Sequence, residues 1–485
     1  MGGLRAVEDR PTPSNVYNIQ LYFEAVIIAT VTEKIGRKWT LQLNVFVFLI
    51  GAVLMTAATH QLSFIYTGRV LTGIGCGAIT ATVPSYIAEL SVPSIRGILT
   101  GFFEVAYQIG SLIGFWINYG ITQNMSTDSS TSWRIPMAVQ LIPACFLFIS
   151  GFFLHESPLW LMRKNKTEKT YKTLMKLRHL PHDHQYIQEE LGIMEHRLNE
   201  ERALASSYGT GPMAYIRGAL NELSRPGMRN RVLLVFCMFS LQNLSGASAI
   251  NYYSPTLFKS LGITETALYT GIYGLVKAVA SIIYYGMFID ILGRRNPVIV
   301  SSLACSLCLW IIGTYVKIGH PDTILEAGGT LSASTAAGGK AAIAMIMIYS
   351  VFWSFGLNGV PWIVSAEIFP GALRNLTGTF AAMVQWLVQF VMTKALPYIF
   401  SSFGYGTWFF FAAWMLIAVV WAYFFLPETK GLTIDQMDVL FAYNADRHLG
   451  ITGHEHGQQQ DQAGLEGKAD AKGLGFEHNE DTRST

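Results

Sequence analysis

The sequence is short of charge. Of its 485 residues only 14% are Asp, Glu, Lys or Arg, against 51% hydrophobic and 13% aromatic. A soluble domain carries about 25% charged residues. The mean hydropathy is +0.34. A long chain this poor in charge fits a protein that crosses a bilayer many times. It is short of cysteine as well. Cys76, Cys145, Cys237, Cys305 and Cys308 all lie inside apolar runs, and none has metal-knuckle spacing. That pattern predicts packing roles for the thiols, with no disulfide and no zinc site. The opening residues MGGLRAVEDRPTPSN lack an apolar core, so no cleavable signal peptide is expected. No nucleophile–base set, phosphate-binding loop or metal cluster is evident, which argues against an enzyme and against a cofactor. A nucleic-acid partner does not fit a chain made of membrane spans. The net charge of +2 discriminates little; its distribution does more.

A window of about 19 residues finds ten spans, near 39–58, 64–88, 98–120, 134–154, 232–255, 266–289, 298–317, 341–366, 377–400 and 406–426. Helices are the expected form, because hydrocarbon offers no partner to a free N–H or C=O. An eleventh apolar run, Ile19 to Thr32, is short and contains Glu24. It falls below the length of a full crossing.

Lys and Arg fix the orientation. Thirteen lie between His155 and Arg231, and Lys34, Arg37, Lys38, Arg96, Arg294, Arg295 and Arg374 fall in loops of the same parity. The opposite loops hold only Lys259, Lys317 and Lys340. The positive-inside rule then puts the basic loops in the cytoplasm. The expected organisation is an N-terminal segment 1–18, a first helical bundle 19–154, a cytoplasmic linker 155–231, a second bundle of six helices 232–426, and a tail 427–485. The linker stretches KTEKTYKTLMKLRHL and QYIQEELGIMEHRLNEERALA have helical periodicity with mixed charge. The tail after Tyr443 is rich in Gly, Gln, His and acid, a composition that reads as disordered.

Three motif pairs recur in the same order. EKIGRK (33–38) matches DILGRR (290–295), AELSVPSIRG (88–97) matches AEIFPGALRN (366–375), and HESPLWL (155–161) matches LPETKGL (426–432). Two similar halves joined by a linker are the signature of an alternating-access carrier. The repeats place Glu33, Arg37, Glu89, Arg96 and Glu156 of the first half, with Asp290, Arg294, Glu367, Arg374 and Glu428 of the second, in an expected cytoplasmic charge network, and Arg69 is expected to join that network or a core one, with simple snorkelling as the plainer alternative. Glu89 precedes Arg96 by seven residues, as Glu367 precedes Arg374. Such acid–base sets would bridge helix ends in one state of the carrier and part in the other. Gly73, Gly75 and Gly77 form a close-packing stripe.

Lys277 sits in the middle of the apolar run GIYGLVKAVASIIYYGMFIDILGRR, residues 271–295. An ammonium at the centre of a membrane helix costs about 2.5–3.5 kcal/mol. It is tolerated where it faces a wet cavity or a counter-charge. Glu104 is the other ionisable group at similar depth, in the corresponding helix of the first half. Both are expected to face a central cavity. There Lys277 would attract a substrate carboxylate, and Glu104 would either pair with Lys277 or exchange a proton. The plainer alternative is an ion pair that only joins two helices.

Seven stretches carry a resemblance: GRVLTGIGCG (68–77), PSYIAELSVPSIRG (84–97), ESPLWL (156–161), QNLSGASAINYYSP (242–255), IDILGRR (289–295), GVPWIVSAEIFP (359–370) and PETKGLT (427–433). In this order they resemble the sugar porters of the major facilitator superfamily. VEDRPTPSNVYN, EVAYQIGSLIGFWINYG and TGIYGLVK make the chain most similar to the fungal quinate permease branch. The resemblance implies an all-α membrane protein with two pseudo-symmetric bundles. It also implies proton-coupled uptake of quinate or a related carboxylated polyol across the plasma membrane. A sugar or polyol carrier and a non-transporting nutrient sensor are the other readings it leaves.

By motif, the family's substrate positions fall on Gln242 and Asn243. The asparagine that follows in the family is Ser248 here, and the glutamine of the fifth family helix is Glu104. Trp362, Trp386 and Gln389 stand where the second half supplies aromatic and polar contacts. Lys277 lies one position before the asparagine of hexose carriers, here Ala278. Tyr252 and Tyr253 are candidate gating residues. Against the family's twelve spans, the permease-like start runs almost at once into TEKIGRK. About 70 residues, most of two spans with their loops, are missing from the pattern. The acid that many proton symporters carry on the first helix lies in that stretch. An inactive short form is therefore a further alternative, and ten or eleven spans are expected in place of twelve.

Overall fold

The computed structural model describes residues 32, 34–59, 61–92, 96–126, 129–181, 183–206, 218, 221–263, 265–321, 324, 332–369, 374–430 and 441. Glu33, the run Ile19–Val31 and the tail after Phe441 lie outside them. Among the described residues every regular element is a helix. The first bundle holds α1 (Arg37–Thr56), α2 (Leu62–Leu90), α3 (Arg96–Asn124) and α4 (Ser130–Gly151). Three linker helices follow: α5 (Pro158–Arg163), α6 (Thr167–Arg178) and α7 (Gln185–Ser206). The second bundle holds α8 (Pro226–Asn243), α9 (Ala247–Ser260), α10 (Thr266–Ile283), α11 (Arg295–Gly319), α12 (Ala333–Gly356), α13 (Val360–Glu367), α14 (Arg374–Phe403) and α15 (Gly406–Phe425).

Nine helical stretches among the described residues are long and apolar enough to cross a membrane. They correspond to nine of the ten expected spans. The tenth, 98–120, is α3. Its 29 residues are enough to cross.

Small residues let α1 and α2 pack backbone to backbone. A Cβ on Gly51 would stand 2.7 Å from the Gly68 carbonyl, and one on Gly75 would stand 2.6 Å from the Asn44 carbonyl. The bundles meet where α3 packs along α10 and α2 touches α14. Pro84, Pro255 and Pro397 interrupt the hydrogen-bond ladders of α2, α9 and α14. In α9 the break shows at Tyr253, whose φ of −122° and ψ of 20° are not helical. Directly after α10, residues Tyr284–Phe288 form a π turn before the chain returns to α-helix at Ile289–Leu292.

The motif repeat becomes a structural repeat at the arginine-rich end. Arg37 Nη2 lies 3.0 Å from Glu89 Oε1, and Arg294 Nη2 lies 2.8 Å from Glu367 Oε1. The other oxygen of Glu89 accepts from Ser157 Oγ; that of Glu367 accepts from Thr429 Oγ1 at 2.8 Å. Glu156 Oε1 takes the main-chain N–H of Arg37 at 2.8 Å and of Lys38 at 3.2 Å. Glu428 does the same for Arg294 at 2.8 Å and Arg295 at 3.1 Å. Each glutamate thus serves the exposed N–H groups at the start of a helix, α1 or α11, where the helix dipole favours negative charge. The glycine before each start is held in positive φ, Gly36 at 108° and Gly293 at 78°.

Glu89 and Glu367 pair with the arginines of the repeated G-R-[KR] motif. The side chains of Arg96, Arg374 and Asp290 lie outside the described part. Arg69 does not belong to this end. It stands twenty positions before Glu89 on the same helix, about 30 Å away at 1.5 Å per residue. The charge of Arg69 alone gave no sign of this; the direction of α2 decides it.

Under this face, Leu159, Met162, Leu174, Ile187, Leu191 and Leu198 of α5–α7 form a small core of their own. Arg178 grips both oxygens of Glu190, at 3.0 and 2.6 Å, and donates to the Leu90 carbonyl at 2.9 Å. That last bond ties the linker to the end of α2.

A Cβ at Gly293 would meet Glu428 Oε2 at 2.5 Å, and one at Gly36 would meet Glu156 Oε2 at 2.5 Å. Left-handed backbone also costs an L-residue about 1–2 kcal/mol. Gly293→Ala and Gly36→Ala are each expected to lower the midpoint of thermal aggregation of the detergent-purified protein. Gly110→Ala, where a Cβ meets nothing within 4 Å, leaves it unchanged. Fluorescence-detected size-exclusion chromatography after heating reads the difference.

Candidate functional site

Helix breaks create the site. α8 ends at Asn243 and α9 begins at Ala247, so Leu244–Gly246 turn in mid-bundle, with Gly246 at φ 90°. α12 ends at Gly356 and α13 begins at Val360, leaving Leu357–Gly359 between them. At both breaks side-chain amides replace apolar surface. The cavity they border holds about 720 Å³ of empty space, its open mouth included.

All eight expected substrate residues line it: Glu104, Gln242, Asn243, Ser248, Lys277, Trp362, Trp386 and Gln389. Lys277 is 2% exposed. Its Nζ lies 3.4 Å from Asn251 Oδ1 and 4.7 Å from the centre of the Trp353 ring. Trp353 is itself fixed by donating Nε1–H to Ser245 Oγ at 3.0 Å. A π face and one amide oxygen are modest partners for a buried ammonium.

Glu104 lines the same cavity, but no ion pair joins it to Lys277 among the described residues. Its Oε1 accepts from Gln108 Nε2 at 2.7 Å. The direct Glu104–Lys277 bridge, one of the two expectations, is not formed. Each charge is held by neutral dipoles across shared space, an arrangement open to a charged visitor.

An amide ladder crosses the second bundle. Asn243 Nδ2 donates to Gln385 Oε1 at 2.8 Å, Gln385 Nε2 to Gln389 Oε1 at 3.4 Å, and Gln389 Nε2 to Tyr252 Oη at 2.8 Å. Tyr252 therefore joins the site's polar network. Tyr253 instead packs edge-on against Phe400, with ring centres 5.9 Å apart, at the break in α9. Trp362 packs edge-on against Phe239 at 4.9 Å.

Sequence reasoning missed Gln108, Asn251, Trp353, Asn358 and Gln385. A signal existed for three of them. Gln108 lies one helical turn after Glu104, Gln385 one turn before Gln389, and Asn251 three residues after Ser248, so each shares a face with an expected residue. Asn358 and Trp353 carried none, since their place depends on where α12 breaks.

With this geometry in view, comparison with known proteins is decisive for the family. The family model described as "Sugar (and other) transporter" matches residues 14–441. The chain belongs to this transporter family. The transporter is 41% identical over 430 residues to a probable quinate permease of Aspergillus clavatus, covering 88% of this chain and 77% of that one. It is 39% identical over 432 residues to the quinate permease of Emericella nidulans, covering 88% and 79%. Among solved structures, it superposes on the proton:xylose symporter XylE bound to 6-bromo-6-deoxy-D-glucose with a TM-score of 0.69 and 22% identity, covering 88% of each chain. A partially occluded, inward-open XylE from E. coli gives 0.68 at 21% identity. These place the transporter in the major facilitator fold, a multi-pass membrane protein and not an enzyme.

The seat of Lys277 gives a prediction. Trp353→Phe keeps a ring beneath the ammonium, while Trp353→Leu removes it. A cation–π contact of about 1–2 kcal/mol implies that the leucine variant changes substrate KM roughly 5- to 30-fold and the phenylalanine variant much less. Uptake titrations with equal surface expression check this.

Proposed function

We propose that this transporter is a secondary carrier of a carboxylated polyol, quinate or a close relative, moved by alternating access together with a proton. Lys277 is the observation that carries the reading. It is a buried ammonium facing a cavity, seated on a ring and an amide, with no carboxylate bound to it. A ligand carboxylate would supply the missing counter-charge. The lining of Gln242, Asn243, Gln385 and Gln389 suits the hydroxyls of the same ligand, and Trp362 and Trp386 suit the faces of its ring. Glu104 is the proton carrier in this reading: it shares the cavity and is bound only by donors that survive a change of its charge. Tyr252 and Tyr253, beside the break in α9, close the outer side. The relatives named quinate permease support the substrate class, and a plasma-membrane location follows from uptake.

The amide ladder favours one competitor, a neutral sugar or polyol carrier in which Lys277 only braces α10. The test is uptake of labelled quinate and of glucose at two external pH values in cells expressing this chain. Quinate is expected to enter faster at the lower pH and to be unaffected by excess glucose. Lys277→Met is expected to reduce quinate uptake at least about 10-fold, the worth of one charged contact, while the protein still reaches the membrane. Undiminished quinate uptake by Lys277→Met would sink the acid-carrier reading, and glucose uptake in its place would establish the competitor.

A further inference from the structure

Where α12 breaks, the cavity wall carries two polar atoms that make no hydrogen bond among the described residues. Asn358 is 3% exposed and Gln242 5%. Asn358 Oδ1 accepts from Gln108 Nε2 at 3.3 Å, across the two bundles. The main-chain carbonyl of Asn358 accepts from Gln242 Nε2 at 2.6 Å. These bonds settle how both amides are turned. Reversing Asn358 would set donor against donor, and reversing Gln242 would set acceptor against acceptor. What is left over is a donor, Asn358 Nδ2, and an acceptor, Gln242 Oε1. Both are buried, and neither makes a hydrogen bond among the described residues, with the Glu104 carboxyl the near neighbour of the Asn358 amide. Leaving such atoms bare costs free energy, so an unpaired set in a cavity wall points to a ligand.

A hydroxyl group both donates and accepts. One hydroxyl set against this pair satisfies both atoms. We propose that Asn358 is a specificity-determining residue: with Gln242, it reads one hydroxyl of a ring polyol held in the cavity. The motif resemblance pointed to Gln242; nothing pointed to Asn358. The inference rests on the cavity being the transport site, but not on the substrate being an acid. Ser354 Oγ lies 3.4 Å from the main-chain carbonyl of Lys277, and Asn358 follows Ser354 by four residues. The hydroxyl reader and the helix that carries the ammonium therefore border one cavity wall.

Asn358→Ala removes the spare donor together with the Oδ1 that accepts from Gln108. The main-chain carbonyl that holds Gln242 remains, and Gln108 keeps Glu104 at 2.7 Å. The experiment is ligand quenching of intrinsic tryptophan fluorescence in the purified full chain. Its ligands are quinate, the neutral ring polyol myo-inositol, and the monodeoxy analogues of each. Asn358→Ala is expected to weaken the parent ligand about 10- to 100-fold, the usual worth of one buried hydrogen bond. One deoxy analogue should bind wild type equally weakly, and the variant no worse than that. Equal weakening of every analogue by the substitution, or none, would overturn the inference. Should the variant fail to fold, the wild-type series decides: a loss concentrated at one hydroxyl supports the reader, and equal losses at all positions exclude it. If myo-inositol shows the coupling and quinate does not bind, the acid reading falls and Asn358 stands. If quinate binds with additive effects at every hydroxyl, Asn358 falls and the acid reading stands. Binding of neither ligand overturns the role of Asn358 outright.

Discussion

A guanidinium set against a carboxylate at the arginine-rich end of each bundle, Arg37 with Glu89 and Arg294 with Glu367, holds the architecture in place. Neither pair works alone. A hydroxyl from Ser157 or Thr429 satisfies the acid, and a second glutamate closes the start of the next helix. Arg37 is 2% exposed. Removing one member of a buried pair strands the other and costs about 3–5 kcal/mol. The position of α1 against α2, and of α11 against α13, follows from these knots. The cavity is held between helices positioned in this way. Chain segments that lie far apart in sequence, near residues 37, 89 and 156, converge on one point, and the second half repeats the convergence at 294, 367 and 428.

Hydrocarbon imposes the second constraint. It allows polar groups inside only where they answer one another or face space. Gln385 and Gln389 answer one another in a ladder; Lys277, Glu104 and Asn358 face space. Much of the polarity of the described spans therefore borders the cavity, contributed by α3, α10 and α14 as well as by the two helix breaks.

This concentration explains what the sequence made legible. Lys277 and Glu104 stood out because an ionisable residue in an apolar run has few explanations. Gln242, Asn243 and the two tryptophans were reached through motif resemblance. The twin knots were visible as repeated motifs, but not their wiring. The pairing of Glu89 with Arg96 lies outside the described side chains, and the partner of Glu89 that the structure does show, Arg37, lies 52 positions away. Arg69 was grouped by its charge, whereas a helix that runs from one face to the other separates its ends by its whole length. Asn358 was hidden because an asparagine's role depends on which of its three polar sites the fold leaves open, and the bonds to Gln108 and Gln242 become visible only when the bundles are assembled.

The π turn after α10 has a consequence of its own. It adds a residue to one turn, so the backbone above and below it run out of phase. Lys277 above must look inward, while Gly293 below must arrive at Glu428 with its backbone already twisted left-handed. A uniform spiral joining two such fixed points would satisfy one and miss the other. The surplus residue acts as a shim between them.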